Sequence, residues 1–289
     1  MRGEIEGEKH LRPSGYVEDL RSLAQNKSYV LCILGCTCVE FSAGAMTWWG
    51  VKLLEESILA TNMSPEEYKI APGSGTFIFG VESIIAGVFG ILAGVFLSTK
   101  FRRIFPRADP IICGVSLTVS TLFLFFTLYF ASYSTIVSLV LIFVGITALN
   151  GIWSIIHDIL SYIIMPTRRA TATAIRNLLA KGLGGAGSPF IVGVMIEYFK
   201  NEVLNPEGVC KSLPDSMMTV QLNQNGSITS MTVCEANINF YAIQYSLYVN
   251  VAVVFIGAVL FFLAGIWILQ DKDHHKREGR AEVHNLNRF

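Results

Sequence analysis

Six long apolar segments constrain the possible fold of this chain more than any other feature of its sequence. They cover residues 28–51, 75–99, 110–130, 135–165, 177–199 and 242–269. A helix of about 20 residues crosses a bilayer, and each segment reaches that length. Charged residues make up 15% of the 289-residue chain, against about 25% in a typical soluble domain. The pattern predicts an all-α membrane protein with six transmembrane helices and excludes a soluble globular fold.

The distribution of basic residues predicts the orientation of these helices. Most Lys and Arg residues lie before the first apolar segment, after the second and fourth, and after the last. Cytoplasmic loops carry the excess of Lys and Arg, so both termini are expected in the cytosol. The chain then divides into a cytosolic segment (1–27), a six-helix domain (28–269) with an outer loop (200–241), and a cytosolic tail (270–289). The equal totals of 22 basic and 22 acidic residues argue against a nucleic-acid partner.

The long outer loop carries features of a lumenal or extracellular segment. It contains Cys210 and Cys234, and the sequon Asn225-Gly226-Ser227. Disulfides persist and Asn-linked glycans are added on that side of a membrane. A disulfide bridge between Cys210 and Cys234 is as strongly expected as two free thiols. Asn225 is the candidate glycosylation site. Four further cysteines lie within apolar segments and are predicted to be small core residues: Cys32, Cys36, Cys38 and Cys113.

Ionisable residues are restricted to four of the six apolar segments or their ends. Such groups are costly inside a membrane and mark a pathway or an ion pair by default. The third and sixth segments have none. We therefore expect the first, second, fourth and fifth helices to line an aqueous space and the other two to face lipid. The residues concerned are Glu40, Glu82, His157, Asp158, Arg176, Lys181 and Glu197.

A polar stripe on the fourth helix is the candidate wall of a cavity. Asn150, Ser154, His157 and Ser161 recur at intervals that place them on one helical face. Such a stripe either lines water or hydrogen-bonds to another helix. His157 is of a type that titrates near neutral pH, but a plain interhelical hydrogen bond is an equal alternative. With Arg176 and Lys181 of the fifth segment, these residues form the predicted cavity lining.

Three acidic residues are candidates for proton coupling: Glu40, Glu82 and Asp158. For the two glutamates, the alternatives are an ion pair with Lys181 or Arg176, or a hydrogen bond from the protonated acid to a helix carbonyl. Two other acidic residues at the outer end of the first helix, Glu55 and Glu56, are expected to be solvated.

Small residues predict two places where helices approach closely or loosen. Ala86, Gly90 and Gly94 recur every four residues in the second segment, a spacing that lets a neighbouring helix come near. In the fifth segment, a glycine run leads into Pro189 and predicts a helix that bends or loosens inside the membrane. The run contains G-x-G-x-x-G, but no strand precedes it, so a nucleotide site is rejected.

No sequence motif supports catalysis. No metal-binding spacing, nucleophile elbow or phosphate-binding loop is present, so neither a cofactor nor a metal is expected. A membrane enzyme acting around His157 and Asp158 is the weakest hypothesis, because no nucleophile lies beside them in the sequence.

Two inner-loop motifs resemble the spinster-like family of the major facilitator superfamily. They are Pro106-Arg107-Ala108-Asp109-Pro110 and Pro166-Thr167-Arg168-Arg169-Ala170-Thr171-Ala172. Gly187-Ser188-Pro189 is similar as well, and residues from Tyr16 resemble the central cytosolic loop of the family. The resemblance implies the carboxy-terminal six-helix half of the fold, built from two three-helix inverted repeats.

The resemblance also implies a function. Members of this family move lysophospholipids or sphingosine-type lipids by alternating access coupled to protons, in late endosomes and lysosomes, with the plasma membrane as a further location. Arg168 and Arg169 would form an inner gate or bind head groups, and ordinary topology anchoring is equally plausible for them. Ile146, Gly185 and Phe96 stand where the family commonly has acidic residues.

Two functional hypotheses follow from the sequence. The first is lipid transport by a six-helix half paired with a second half or with a copy of itself. The second is a non-transporting fragment that regulates or dimerises with a full-length transporter, because one half alone cannot enclose a two-sided cavity.

Overall fold

The computed structural model describes residues 16–60, 74–105, 107–164, 168–203, 218–222 and 228–286. Six helical stretches in it are long and apolar enough to cross a membrane, which confirms the predicted number. We number them as spans 1 to 6: Lys27–Ser57, Gly75–Arg102, Ala108–Phe130, Ile136–Ile163, Arg169–Glu202 and Ile238–Gln270. Each overlaps a predicted segment, and most begin or end a few residues beyond the expected bounds.

The spans are assembled from shorter helical elements. The α-helices are α1 Tyr16–Gln25, α2 Lys27–Ala45, α3 Val51–Ala60, α4 Ser74–Arg102, α5 Ala108–Phe130, α6 Thr135–Asn150, α7 Ile152–Ile163, α8 Arg169–Asn177, α9 Gly187–Tyr198 and α10 Val233–Leu286. Three π-helical stretches connect them at Met46–Gly50, Leu178–Ala186 and Phe199–Val203. The second of these ends three residues before Pro189 and confirms the predicted loosening of the fifth span.

The spans contact one another in a pattern that repeats. Span 1 packs against spans 5 and 6, and span 4 packs against spans 2 and 3. If spans 1, 2 and 3 correspond to spans 4, 5 and 6, the contacts of span 1 with spans 5 and 6 correspond to those of span 4 with spans 2 and 3. The contact between spans 3 and 6 then corresponds to itself. Two three-helix repeats therefore build the bundle, as the sequence resemblance implied.

Span 6 forms the core of the bundle together with spans 1 and 3. Phe261 is fully buried, and a Cβ atom on Gly35 would lie 2.6 Å from its ring. The buried Gln244 amide donates a 2.6 Å hydrogen bond to the Leu128 carbonyl of span 3. This packing explains the lack of charge in span 6 and in span 3 after Asp109.

The outer loop contains structure that the sequence reasoning did not anticipate. Strands β1 Met218–Leu222 and β2 Ile228–Thr232 pair antiparallel, with Met218 opposite Thr232 and Leu222 opposite Ile228. The last helix begins at Val233, directly after the hairpin, although its apolar segment was expected from residue 242. Helix α10 also continues to Leu286, well into the segment predicted as a tail, because the polar residues after 270 include many good helix formers.

Spans 2 and 5 have the least covered surfaces. Over their most apolar stretches, 22% of residues are buried in each, compared with 39–44% in the other four spans. Both carry ionisable residues, which favours a surface that faces water or another protein rather than lipid alone.

Candidate functional site

A charged network joins the inner ends of spans 2, 3 and 4. The Arg102 guanidinium, in the last turn of α4, lies 2.9 Å from an Asp109 oxygen and 2.7 Å from an Asp158 oxygen. The Ser98 hydroxyl donates a 2.7 Å hydrogen bond to Asp109 and accepts one of 3.0 Å from Arg102. The Tyr162 ring lies 5.8 Å from the guanidinium. The network holds three helices together at the end predicted to face the cytosol.

The two carboxylates of this network differ in exposure. The Asp109 side chain is 3% exposed and that of Asp158 is 52% exposed. Asp109 lies in the first turn of α5, where the helix dipole favours negative charge. Sequence reasoning named Asp158 as a proton-coupling candidate but treated Arg102 as an ordinary basic loop residue. An acidic residue at the start of an otherwise uncharged span was the signal that would have identified Asp109.

Spans 2 and 4 approach closely along the predicted small residues. Ala86 is fully buried. A Cβ atom on Gly90 would lie 2.8 Å from the Asn150 Cβ, and one on Gly94 would overlap the Gly151 carbonyl oxygen. Helix α6 ends at Asn150, so this contact coincides with a break in span 4. The prediction of a close helix approach at these residues is confirmed.

The polar stripe of span 4 does not bond to other helices within the described part of the chain. The side chains of Asn150, Ser154 and Ser161 each donate to a backbone carbonyl three or four residues earlier, at 3.0, 3.5 and 2.8 Å. His157 and Ser161 are exposed, and Asn150 and Ser154 are half-buried. Of the two interpretations left open, this arrangement favours a stripe that lines an open space.

Spans 1 and 5 meet in the same way as spans 4 and 2. A Cβ atom on Gly184 would lie 2.5 Å from the Thr37 carbonyl oxygen, and one on Gly44 would lie 2.5 Å from the Gly185 carbonyl oxygen. Both contacts involve the π-helical stretch of span 5. The backbone of span 5 therefore lies against span 1 at the depth of Glu40, whose Cβ is 3.0 Å from the same Gly184 position.

A cluster of charged side chains surrounds this contact. Arg176 is 5% exposed, and its Nη2 donates a 2.6 Å hydrogen bond to the Asn177 side chain. The charges of Lys181 and Arg176 both act on the half-buried Glu40 carboxylate, and the charge of Arg176 also acts on His157. Within the described residues, neither cation lies within 4 Å of a Glu40 oxygen, the limit for an ion pair. The charges of three predicted cavity residues and one predicted coupling residue therefore influence one another without direct ion pairs to Glu40 in the described part of the chain.

Glu82 lies apart from this cluster. It is half-buried on span 2, and its Oε1 is buried without a hydrogen-bond partner in the part of the chain that the structure describes. Glu56 was expected to be solvated, and that expectation was wrong. It is 9% exposed, because the outer end of span 1 packs against its neighbours there, and the charges of Lys52 and Lys200 act on its carboxylate.

Arg168 and Arg169 make contacts at the end of the bundle that is predicted to face the cytosol. The Arg168 guanidinium donates a 2.7 Å hydrogen bond to the Ser22 hydroxyl on α1. The Arg169 Nε donates a 3.2 Å hydrogen bond to the Ile164 carbonyl at the end of span 4. Leu23 on α1 is 4% exposed, so α1 is packed against the bundle at this point. The two arginines tie α1 and span 4 to the start of span 5.

The predicted disulfide bridge and glycan involve residues that the structure does not fully describe. Cys210 and Asn225 fall in undescribed parts of the outer loop, and the Cys234 side chain is likewise not described. The predicted bridge and glycan therefore stay predictions. The other four cysteines are free, with Cys38 half-buried and the remaining three buried, as expected of core residues. Among the described residues, no group of three His, Cys, Asp or Glu side chains could hold a metal ion.

Comparison with known proteins gives relatives along nearly the whole chain. The protein spinster of Drosophila melanogaster is 32% identical over 94% of this chain and 48% of its own length. Protein spinster homolog 1 of Homo sapiens is 32% identical over 98% of this chain and 48% of its own length. No family model matches the sequence. The chain spans about half the length of the relatives it matches.

A solved structure is likewise matched over about half of its own chain. A bacterial homolog to the human lysosomal transporter Spinster, in an inward-facing and unoccupied conformation, matches with a TM-score of 0.68 and 18% identity. The match covers 89% of this chain and 51% of the bacterial one. It establishes that this chain has the fold of about half of that protein.

Proposed function

The chain belongs to the spinster family along the half of those proteins that it spans, and from this premise we propose that it moves lipids across a membrane. The substrate is a lysophospholipid or a sphingosine-type lipid, and transport proceeds by alternating access of a cavity formed with a second six-helix half. Similarity to spinster proteins over 94–98% of the chain is the observation that carries this proposal.

The candidate site supports a cavity for an amphiphile. The head group contacts Lys181 and Arg176 of span 5 and the stripe residues Asn150 and His157 of span 4. The acyl chain lies along the apolar surfaces of spans 2 and 5, whose exposed large side chains include Phe89. Spans 2 and 5 are the least buried of the bundle, so the cavity would open between them and the second half.

Proton coupling is assigned to the acidic residues on the same spans. Glu40 lies against the π-helical stretch of span 5, so gain or loss of its proton would change the charge balance beside Lys181 and Arg176. Glu82 is the second candidate. Asp158 pairs with Arg102, and in this proposal its protonation would weaken the inner network and release the cytosolic ends of spans 2 and 4.

The purified 289-residue chain in liposomes tests the proposal. The assay follows inward movement of a fluorescent lysophospholipid, with and without an imposed pH gradient. We expect flux that increases with the gradient and falls at least about tenfold in Lys181→Gln, because the head group loses its exposed cationic contact. Lys100→Gln, outside the proposed cavity, is the matched control. Unchanged flux in Lys181→Gln would contradict the assigned role.

A second function is favoured by the surfaces of spans 2 and 5, which are the least buried of the six. In this function the chain is a non-transporting six-helix partner of a full-length transporter. The exposed faces of spans 2 and 5 would then pack against that transporter. Reconstitution of the chain with and without a twelve-helix spinster protein separates the two functions. Flux by the chain alone supports transport, whereas flux altered only in the mixture supports regulation.

A further inference from the structure

The cluster beside the span 1–span 5 contact contains a buried arginine whose hydrogen-bonding capacity is largely unused. Arg176 is 5% exposed, and one of its three nitrogens, Nη2, donates to Asn177 at 2.6 Å. Its Nε and Nη1 have no hydrogen-bond partner among the residues that the structure describes. A buried cationic donor without an acceptor is costly, and it is normally compensated by an anion.

The charges around Arg176 are not balanced. Lys181 contributes a second positive charge, and both cations act on the single carboxylate of Glu40. His157 is the other titratable residue of the polar stripe on which the Arg176 charge acts, and it adds no negative charge in either protonation state. The nearest other acidic residue on span 4, Asp158, is held by Arg102 at 2.7 Å. With His157 neutral, the cluster carries one uncompensated positive charge.

The cluster also has an exposed side and a buried side. Lys181 and His157 are exposed, Glu40 is half-buried, and Arg176 is buried. The cluster therefore combines an exposed cation, Lys181, with buried guanidinium donors that have no partner among the described residues. Phosphate and carboxylate groups match such donors through charge-assisted hydrogen bonds.

We propose that Arg176, with Lys181, forms a binding site for the anionic head group of an amphiphile, a phosphate or carboxylate that has no compensating ammonium group. A zwitterionic head would bring an additional cation into a cluster that already has excess positive charge. This inference rests on the proposed lipid-transport function and narrows its substrate class. A lipid head group and free phosphate would both present an anionic oxygen group to this site.

Equilibrium binding to the purified full chain in nanodiscs tests the site without requiring transport. The probes are oleoyl-lysophosphatidate, which carries a phosphomonoester, and oleoyl-lysophosphatidylcholine, which has the same acyl chain and a zwitterionic head. We expect the wild-type chain to bind the first at least about tenfold more tightly, the ratio that one charge-assisted hydrogen bond supplies. Equal affinities would overturn the proposal.

Variants at two arginines connect this preference to the site. Arg176→Gln should bind the two lipids equally, whereas Arg103→Gln, the same change at an exposed turn outside the cluster, should keep the preference. A preference that survives in a folded Arg176→Gln would overturn the proposal. If Arg176→Gln does not fold, Arg176→Lys, which keeps the charge but loses the planar donors, should show a reduced preference. An unreduced preference in that variant would also overturn it.

Competition by inorganic phosphate identifies the source of the anion. Displacement of lysophosphatidate by millimolar phosphate supports the site as one for the phosphate group itself. A preference that depends on Arg176 and resists phosphate supports a site for the lipid-borne group. Liposome flux is measured separately, so absence of flux with an intact preference would refute the proposed transport and leave the anion site standing.

Discussion

At the scale of single residues, Arg102 is the central contact of the inner network. It is the cation shared by Asp109 and Asp158, and it also donates to Ser98. The two carboxylates differ sharply in exposure, at 3% and 52%. A buried carboxylate that loses its cation costs far more folding stability than a half-exposed carboxylate that loses its cation. Water can solvate the half-exposed group but cannot reach the buried one.

This difference predicts unequal losses of stability. Arg102→Gln leaves Asp109 buried without its cation and should cost about 3 kcal/mol or more. Asp158→Asn leaves the buried pair intact and should cost about 1 kcal/mol or less. Thermal unfolding of each purified variant in detergent measures the difference. Equal shifts in the unfolding temperature of the two variants would show that Asp109 does not depend on Arg102.

At the scale of helical elements, two backbone contacts related by the repeat hold the bundle together. Gly90 and Gly94 of span 2 lie against span 4, and Gly184 of span 5 lies against span 1. In each case a side chain would enter the backbone of the opposite helix. Glycine is therefore required for the close approach at these positions.

A first test compares two glycines of span 2. Gly94→Ala places a methyl group into the Gly151 carbonyl and should destabilise the chain by about 1–3 kcal/mol. Gly87 has nothing within 4 Å of its Cβ position, so Gly87→Ala should be neutral or slightly stabilising through helix propensity. The midpoint of thermal unfolding is the readout, and similar midpoints for the two variants would contradict the close contact.

A second test compares two glycines of the π-helical stretch. A methyl group on Gly184 would lie 2.5 Å from the Thr37 carbonyl oxygen, whereas one on Gly182 meets nothing within 4 Å. Gly184→Ala should separate spans 1 and 5, displace Glu40 from Lys181, and lower lipid flux at least about tenfold if the proposed site is correct. Gly182→Ala should transport normally. Normal flux in Gly184→Ala would show that the contact is not needed.

At the scale of the whole molecule, the predicted orientation places both termini in the cytosol and the hairpin outside. An antibody to residues 271–289 should then bind only after permeabilisation of cells, because an intact membrane shields the tail. Asn225→Gln should abolish a glycosidase-sensitive shift in electrophoretic mobility. Binding of the antibody to intact cells would reverse the topology. Asn26-Lys27-Ser28 is a sequon on the side predicted to be cytosolic, so Asn26→Gln is the matched control and should leave the mobility unchanged.

The sequence was sufficient for features that depend on local pattern. Apolar segments of about 20 residues fixed the six spans, small residues in span 2 identified a close helix contact, and the glycines before Pro189 identified the loosened stretch of span 5. These succeed because length, hydropathy and backbone freedom act within a single helix. The same reasoning also located most of the ionisable residues of the candidate site.

Only the tertiary structure decided how those residues are combined. It brings Arg102 to Asp109 and Asp158 across three helices, buries Glu56 at the outer end of span 1, and leaves two Arg176 nitrogens without an acceptor among the described residues. Periodicity specifies the face of a helix on which a side chain lies. The partner on the opposite helix, and the exclusion of water between the two, depend on packing between residues far apart in the sequence. That packing decides whether a charged side chain forms an ion pair, is buried or is left without a partner.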